Sequence, residues 1–490
     1  MIEKYIERSV LRQVKLVEYL CDLEKISLRE VSKRIGASSI TVIQDFNTIH
    51  NKLKDSIIHF KIENGFLSLK FDKKINIYNI IQKLYRESDF LKICSSCLLG
   101  EDKVGDLAHK YHFSYSKAFK IKKKVESYFE EIDITGTDDI EKVYSIDYRD
   151  VFLSVFVRFG IPERLKNNDK FKLAEKFYDD FIFRVGLSRN TRQEVYMQLC
   201  AYMSICSIES GYDFKFEYKD IFEECFISQE IMESLELLNL NGEINQYEVG
   251  FLTLIGVGFP LNLQNYEFIN VQYDYIKKKI YSYFPKILKL KTTLFSRLDI
   301  STNLLSDQIF EEPFLKFCCA ANIGLSMFII DRHIWLNDEQ KKIADIIYEV
   351  INSEEFREDF KVKHIPSVIV ERLAALIYSS TILKGKKIMI LIVAENASGH
   401  IIFREALSKW INDEICFINN TNYYSVDEIP QYIDWGPTAI LCERAIFPED
   451  KKFEDKIYSI SFSTIKYDIK KFMMSIYDKV FYEDKEDNIM

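Results

Sequence analysis

Apolar residues along most of this chain recur every three or four positions, the period of a helix with one buried face. Val10, Val14, Val17 and Cys21 open the series and predict a first amphipathic helix. Ser27-Leu-Arg-Glu30 then has the form of a capping box, in which the serine hydroxyl receives a backbone N–H and the glutamate reaches back. A second helix follows, with Val31 and Ile35 inward, Ser32 small where two helices cross, and Gly36 as the stop. Ser38 opens a third, Ser39–Leu53, with Val42, Phe46 and Ile49 on its apolar face.

After residue 57 the period changes to two. Phe60 and Ile62 alternate with His59, Lys61 and Glu63, and Leu67, Leu69 and Phe71 alternate with Ser68 and Lys70. Between the runs stands Asn64-Gly65, whose residues both favour the positive φ of a tight hairpin turn. Two helices around a glycine turn, followed by a two-stranded ribbon, predict a helix-turn-helix with a wing. The outward positions of its second helix are Ser39, Thr41, Gln44 and Asn47. Amides there match adenine edges and hydroxyls match phosphates. The wing tip near Lys61 and Asn64 would touch backbone or minor groove.

The pattern then repeats. Helices over residues 77–99 lead into a stretch in which Leu107 and Tyr111 replace Val31 and Ile35, Ala108 replaces Ser32, and Ser114 replaces Ser38. His112 stands where Gly36 stood, a departure from the preferred turn residue. The helix after Ser114 and Tyr115 carries Lys117, Lys120, Lys122, Lys123 and Lys124, a phosphate-seeking surface. Charge points the same way: residues 1–135 hold 24 Lys/Arg against 19 Asp/Glu, inside a chain of net charge −9. A basic end on an acidic body suits a polyanion at that end.

Further along, Tyr196, Leu199, Met203 and Cys206 share one helical face, and Val368, Leu373, Leu376 and Ile377 another. The last hundred residues differ. Residues 387–393, a lysine followed by six continuous apolar residues, read as a buried parallel strand. A helix over 401–412, strands at 415–418, 439–442 and 457–461, and a closing helix Ile465–Tyr482 predict βαβ crossovers and a three-layer α/β unit.

Composition narrows the class. The 16 glycines and 8 prolines in 490 residues are roughly half the usual share, too few for a sandwich or barrel. The most apolar stretches, 249–263 and 317–330, fall short of the roughly 20 residues that span a bilayer, so no membrane role is expected. The chain starts with charges where an export signal needs an apolar stretch, and its ten cysteines are scattered through helical patterns. The expected compartment is the cytoplasm.

Two helix-turn-helix units in this order resemble the Mga/AtxA-type regulators of Gram-positive bacteria. Ser38-Ser-Ile-Thr-Val-Ile-Gln-Asp-Phe46 is similar to that family's S-x-x-T-[IV]-x-x-D-[LF] recognition helix. Leu107-Ala108, Phe113-Ser114 and Ile134-Thr-Gly136 resemble its second unit and the segment closing it. The resemblance implies a mainly α multidomain chain. It would comprise a winged helix-turn-helix at 1–75, a second, Mga-type unit at 76–145, and all-helical PRD-like domains (phosphotransferase-regulation-like) at 146–262 and 263–383. A three-layer α/β EIIB-like domain would occupy 384–490. It implies a DNA-binding transcription regulator, an activator, with duplex DNA and a second copy of the chain as partners, the copies pairing through the C-terminal domain.

Regulation by phosphotransferase-system proteins, which the family implies, is not expected here. The positions matching the family's phosphorylated histidines are Tyr202, Ile255, Cys318 and Tyr378, and the histidines in that region are His333 and His364. The loop Ala394-Glu-Asn-Ala-Ser-Gly399 lacks the cysteine of a working EIIB.

No cofactor or metal site is expected. Gly256-Val-Gly258 has Leu261 where a dinucleotide motif needs its third glycine, and Cys94-Ser-Ser-Cys97 has no second pair. Glu395, Ser398 and His400 share a loop beyond a strand but form no nucleophile elbow. Two rival readings are a phosphotransferase-related enzyme or phosphocarrier, acting through Cys416, Cys442 or a histidine, and an interaction scaffold that does not bind DNA.

Overall fold

The computed structural model describes residues 2–134, 145–187, 189–258, 266–298, 308–325, 332–362, 365–383, 388–411, 415–430, 438–448 and 456–482. Thr135 and Gly136 of the second unit's closing segment lie outside them, as do Leu261 and His364. Packing divides the chain into Met1–Leu376 and Ile377–Met490. The chain is mainly helical, with a small parallel sheet near its C-terminus.

The first unit begins with α1 (Arg8–Leu23), β1 (Lys25–Ser27), α2 (Leu28–Ile35), α3 (Ser39–Leu53), β2 (Ile57–Glu63) and β3 (Phe66–Phe71). The strands form an antiparallel sheet in the order β1-β3-β2, with Leu67 opposite both Ile26 and Ile62. Val14, Val17, Val31, Val42, Phe46, Ile49, Leu67 and Leu69 are buried between these elements. The capping box is half formed. Ser27 accepts the Glu30 N–H at 3.5 Å, and among the described residues the Glu30 side chain returns no bond. The Asn64-Gly65 turn has φ of 50° and 78°, as its residue types demand.

Next come α4 (Ile77–Tyr85), α5 (Asp89–Leu98), α6 (Val104–Tyr111) and α7 (Tyr115–Ile132), with α7 packed on α5 and α6. The remaining longer helices of this unit are α8 (Ile146–Phe159), α9 (Asp169–Val185), α10 (Thr191–Ser210), α11 (Phe226–Glu236), α12 (Gln246–Gly258), α13 (Tyr266–Tyr283), α14 (Lys286–Arg297), α15 (Gln308–Ile323) and α16 (Asp338–Ile351). The last, α17 (Ser367–Leu383), runs through the division between units. Among the described residues no helix is long and apolar enough to cross a membrane.

Two buried ionic groups fix helices here. Arg149 of α8 donates to both carboxylate oxygens of Glu248 on α12 at 2.7 Å, with both side chains sealed from solvent. Its guanidinium also lies 3.7 Å from the Phe214 ring centre. Glu311 of α15 accepts from Lys277, Lys291, Tyr273 and Tyr281. Burial alone would raise the Glu311 carboxyl, but those four donors hold it below its ordinary range. Gly256 belongs to close helix packing: a Cβ there would stand 2.8 Å from Ile227 of α11.

In the second unit, β4 (Ile388–Val393), β5 (Cys416–Ile418), β6 (Thr438–Glu443) and β7 (Ile457–Ile460) form a parallel sheet in the order β5-β4-β6-β7. Its helices α18 (Ala397–Ser408) and α19 (Ile465–Tyr482) both cover one face, through Phe403, Leu407, Ile469, Phe472 and Ile476. The opposite face packs on Tyr423, Val426 and Ile429. Among the described residues, the expected third layer is therefore loop with a single 3-10 turn, Val426–Glu428, rather than an α-helix. Tyr423, Val426 and Ile429 recur every three positions, but polar Asn419–Asn422 precedes them and Pro430 follows, which leaves too short a run for an α-helix. The helix predicted to start at 401 starts at 397, because Asn396 caps it by accepting the Gly399 N–H at 3.0 Å.

Candidate nucleic-acid interface

The turn between α2 and α3 is set by three residues. Gly36 takes the left-handed conformation (φ 69°), the Ala37 N–H returns to the Ser32 carbonyl at 3.1 Å, and Ser38 caps α3 through the Thr41 N–H at 3.1 Å. The same devices recur 76 residues on, from Leu28 to Val104 and from Ser38 to Ser114. His112 adopts φ 55°, the Phe113 N–H returns to the Ala108 carbonyl at 2.9 Å, and Ser114 accepts the Lys117 N–H at 3.2 Å. The sequence thus builds one backbone turn twice, the second time with a residue that has a Cβ where glycine is favoured.

What each helix presents differs. On α3, Val42, Phe46, Ile49 and Leu53 are buried. Asp45 is buried with them and receives Arg12 Nε at 2.7 Å and Gln13 Nε2 at 3.2 Å from α1. The acidic residue of the S-x-x-T-x-x-x-D pattern is therefore a brace. Its spacing three residues after Val42 was the available signal, since that places it on the apolar face.

The four outward residues predicted on α3 divide. Gln44 and Asn47 are exposed, with no side-chain hydrogen bond among the described residues. Ser39 is exposed, with its hydroxyl 3.3 Å from that of Ser32. Thr41 is half-buried and its hydroxyl is held by Ser38 at 2.9 Å. At the hairpin, Asn64 is exposed, whereas Lys61 is paired with Glu63 at 2.5 Å. The turn is held to the start of α2 by the Leu28 N–H, which donates to the Gly65 carbonyl at 2.8 Å.

On α7, Ser114, Tyr115, Lys117 and Lys120 are exposed at the first turns. The five lysines do not form one free surface. Lys117 pairs with Asp89 at 2.6 Å, Lys122 lies 3.6 Å from Asp102 and 3.4 Å from Glu126, and Lys124 donates to the Tyr5 carbonyl at 2.6 Å. Lys123 lies over the Phe119 ring. Lys120 and Lys123 have no carboxylate partner among the described residues.

Residues 332–336, of which the sequence singles out His333 alone, lie against this region. Arg332 pairs with Asp22 of α1 at 3.2 Å, and the His333 N–H donates to Glu18 of α1 at 3.1 Å. Trp335 meets the Tyr19 ring edge-on at 5.1 Å. His333 Nδ1 lies 3.2 Å from Glu371 of α17.

Elsewhere, of the positions matching phosphorylated histidines, Ile255 and Cys318 are fully buried, and Tyr202 stacks on Phe152. In the second unit the Glu443 carboxylate accepts the Glu395 N–H at 2.9 Å, in the loop after β4. Cys416 and Cys442 are buried, and burial, reinforced by Glu443, pushes the Cys442 thiol up to about 12. Glu395 and Ser398 are exposed, whereas His400 is buried with Nε2 2.8 Å from the Tyr423 carbonyl.

No family model matches the sequence, and no curated protein matches it.

Proposed function

We propose that this chain is a sequence-reading transcription regulator that grips duplex DNA through α3 and α7, as the resemblance to Mga/AtxA-type regulators implies. The observation that carries the reading is the duplicated turn. Two helices that follow left-handed turn residues and serine caps each leave an exposed first turn. That is the form in which a helix enters a major groove.

The order α1-β1-α2-α3-β2-β3 supports a winged first unit. In it Gln44 and Asn47 offer amides for base edges, and Asn64 offers the ribbon's tip. Lys120 of α7 offers an unneutralised ammonium for phosphates. The helices α8 to α17 serve as PRD-like regulatory and structural core, and the second unit as EIIB-like dimer partner. Exposed Ile401, Trp410, Tyr467 and Met474 on that unit support a protein contact there.

Selecting bound duplexes from a random pool with the full chain, at two salt concentrations, tests the proposal. A shared sequence pattern should be enriched, and affinity should fall steeply as salt rises. Failure to retain any duplex at low salt would remove DNA binding and leave an interaction scaffold.

A further inference from the structure

We infer that Ile40 reads thymine: its side chain packs on the C5-methyl groups of thymines in the major groove, so the target is marked by T at the bases facing the first turn of α3. This rests on the DNA-binding reading above and adds a base preference to it.

Ile40 is 71% exposed, more than any large apolar side chain among the described residues except Phe183. Solitary exposed apolar residues are ordinary, but this one is placed against local preference. A β-branched side chain at an exposed helical position loses rotamer freedom and gains no burial, so Ala, Lys or Glu would serve the helix better. Its position is specific too. Ile40, Gln44 and Asn47 are spaced four and three residues apart and form one exposed stripe along α3. The hydroxyls beside it are already engaged, Ser39 with Ser32 and Thr41 with Ser38. The stripe thus offers one apolar and two amide side chains.

The base edges that match such a set are those of A·T pairs. Adenine presents an acceptor and a donor to a side-chain amide, and thymine alone presents a methyl group.

Deoxyuridine differs from thymidine by that methyl group alone, which makes it the probe. In the duplex enriched by the full chain, each thymine is replaced in turn by deoxyuridine, and binding to wild type and Ile40→Ala is measured. At one or two positions the wild type should lose about four-fold, the equivalent of roughly 0.8 kcal/mol for one buried methyl. Ile40→Ala should lose a similar factor on the thymine duplex and nothing more on the deoxyuridine one. A wild type indifferent to every replacement, an enriched pattern without thymine, or an Ile40→Ala protein that still loses the factor would overturn the inference while leaving DNA binding intact. If no duplex is enriched at all, the DNA-binding reading falls first and this falls with it.

Discussion

The Arg34 guanidinium lies over the Trp335 indole, 3.7 Å from the ring centre. Arg34 belongs to α2, the helix that leads into the α3 turn, and Trp335 is some three hundred residues later in sequence. With Tyr19 meeting the same indole edge-on, Trp335 is clamped between α1 and α2. A stacked cation and an edge-on ring each contribute about 0.5–1.5 kcal/mol. Trp335→Ala should therefore cost about 2 kcal/mol locally. Hydrogen exchange should speed up in α1 and α2 and stay unchanged in α7; uniform protection throughout would show that the clamp carries no such load.

Beside that clamp sits a titrating group. Burial of Glu18 pushes its carboxyl up to about 7, opposed by His333 and Arg332 and reinforced by Glu371. A folded-state value above the ordinary 4.5 means that the native state holds the proton more tightly than the unfolded chain. The associated stability is complete below about 4.5 and is lost as pH rises through about 7. Glu371 has the opposite sign: bonds from His333 and Ile334 overcome its burial and lower it, so its contribution is lost only in acid. Glu18→Gln should match the wild type near pH 4.5 and exceed it by about 2–3 kcal/mol at pH 8. Denaturant midpoints at the two pH values check this; equal gains at both would rule out the ionisation.

The two turn residues give a matched pair. Gly36 has φ 69° and open space where a Cβ would stand, so only backbone strain opposes a side chain there. Gly36→Ala should cost about 1 kcal/mol. His112 already bears that strain at φ 55°, and His112→Gly should recover about 0.5–1 kcal/mol. Thermal midpoints that move the other way would mean that the two turns are not equivalent.

These turns also show what was legible in the sequence. Serine caps, the Asn-Gly hairpin and the apolar period of α3 are local, and the backbone follows them closely. The three-residue strand β1 is too short to show an alternation. The start of α18 is hidden because Asn396 caps a turn whose residues look like loop. At the candidate interface, the residue types on α3 and α7 were readable, but their engagement was not. Lys117 looks free until Asp89, twenty-eight residues earlier, is seen beside it. The clamp of residues 332–336 on α1 and α2 depends wholly on tertiary packing.

Deep in the helical core, Arg149 and Glu248 test a different mechanism. Glu248→Ala would strand a buried guanidinium, and loss of one partner of such a pair costs about 3–5 kcal/mol. The double replacement Arg149→Leu, Glu248→Leu should cost less than Glu248→Ala, because no charge is left alone. A double variant less stable than the single one would show that the pair contributes net attraction beyond mutual neutralisation.

The lysines of α7 separate DNA contact from folding. Lys120 has no carboxylate partner among the described residues, and Lys123 has an aromatic ring beside it. Each phosphate contact removed should lower the salt slope of binding by about one. Lys120→Ala with Lys123→Ala should therefore weaken all duplexes alike, flatten the slope by up to about two, and cost no more stability than the one exposed cation–ring contact of Lys123 on Phe119, about 0.5–1 kcal/mol. Lys124 is committed to the Tyr5 carbonyl, at the segment where Tyr5 also stacks on Phe90. Lys124→Ala should leave the salt slope unchanged and lower the thermal midpoint instead. If Lys124→Ala flattened the slope while the Lys120/Lys123 pair did not, the face of α7 assigned to DNA would be the wrong one.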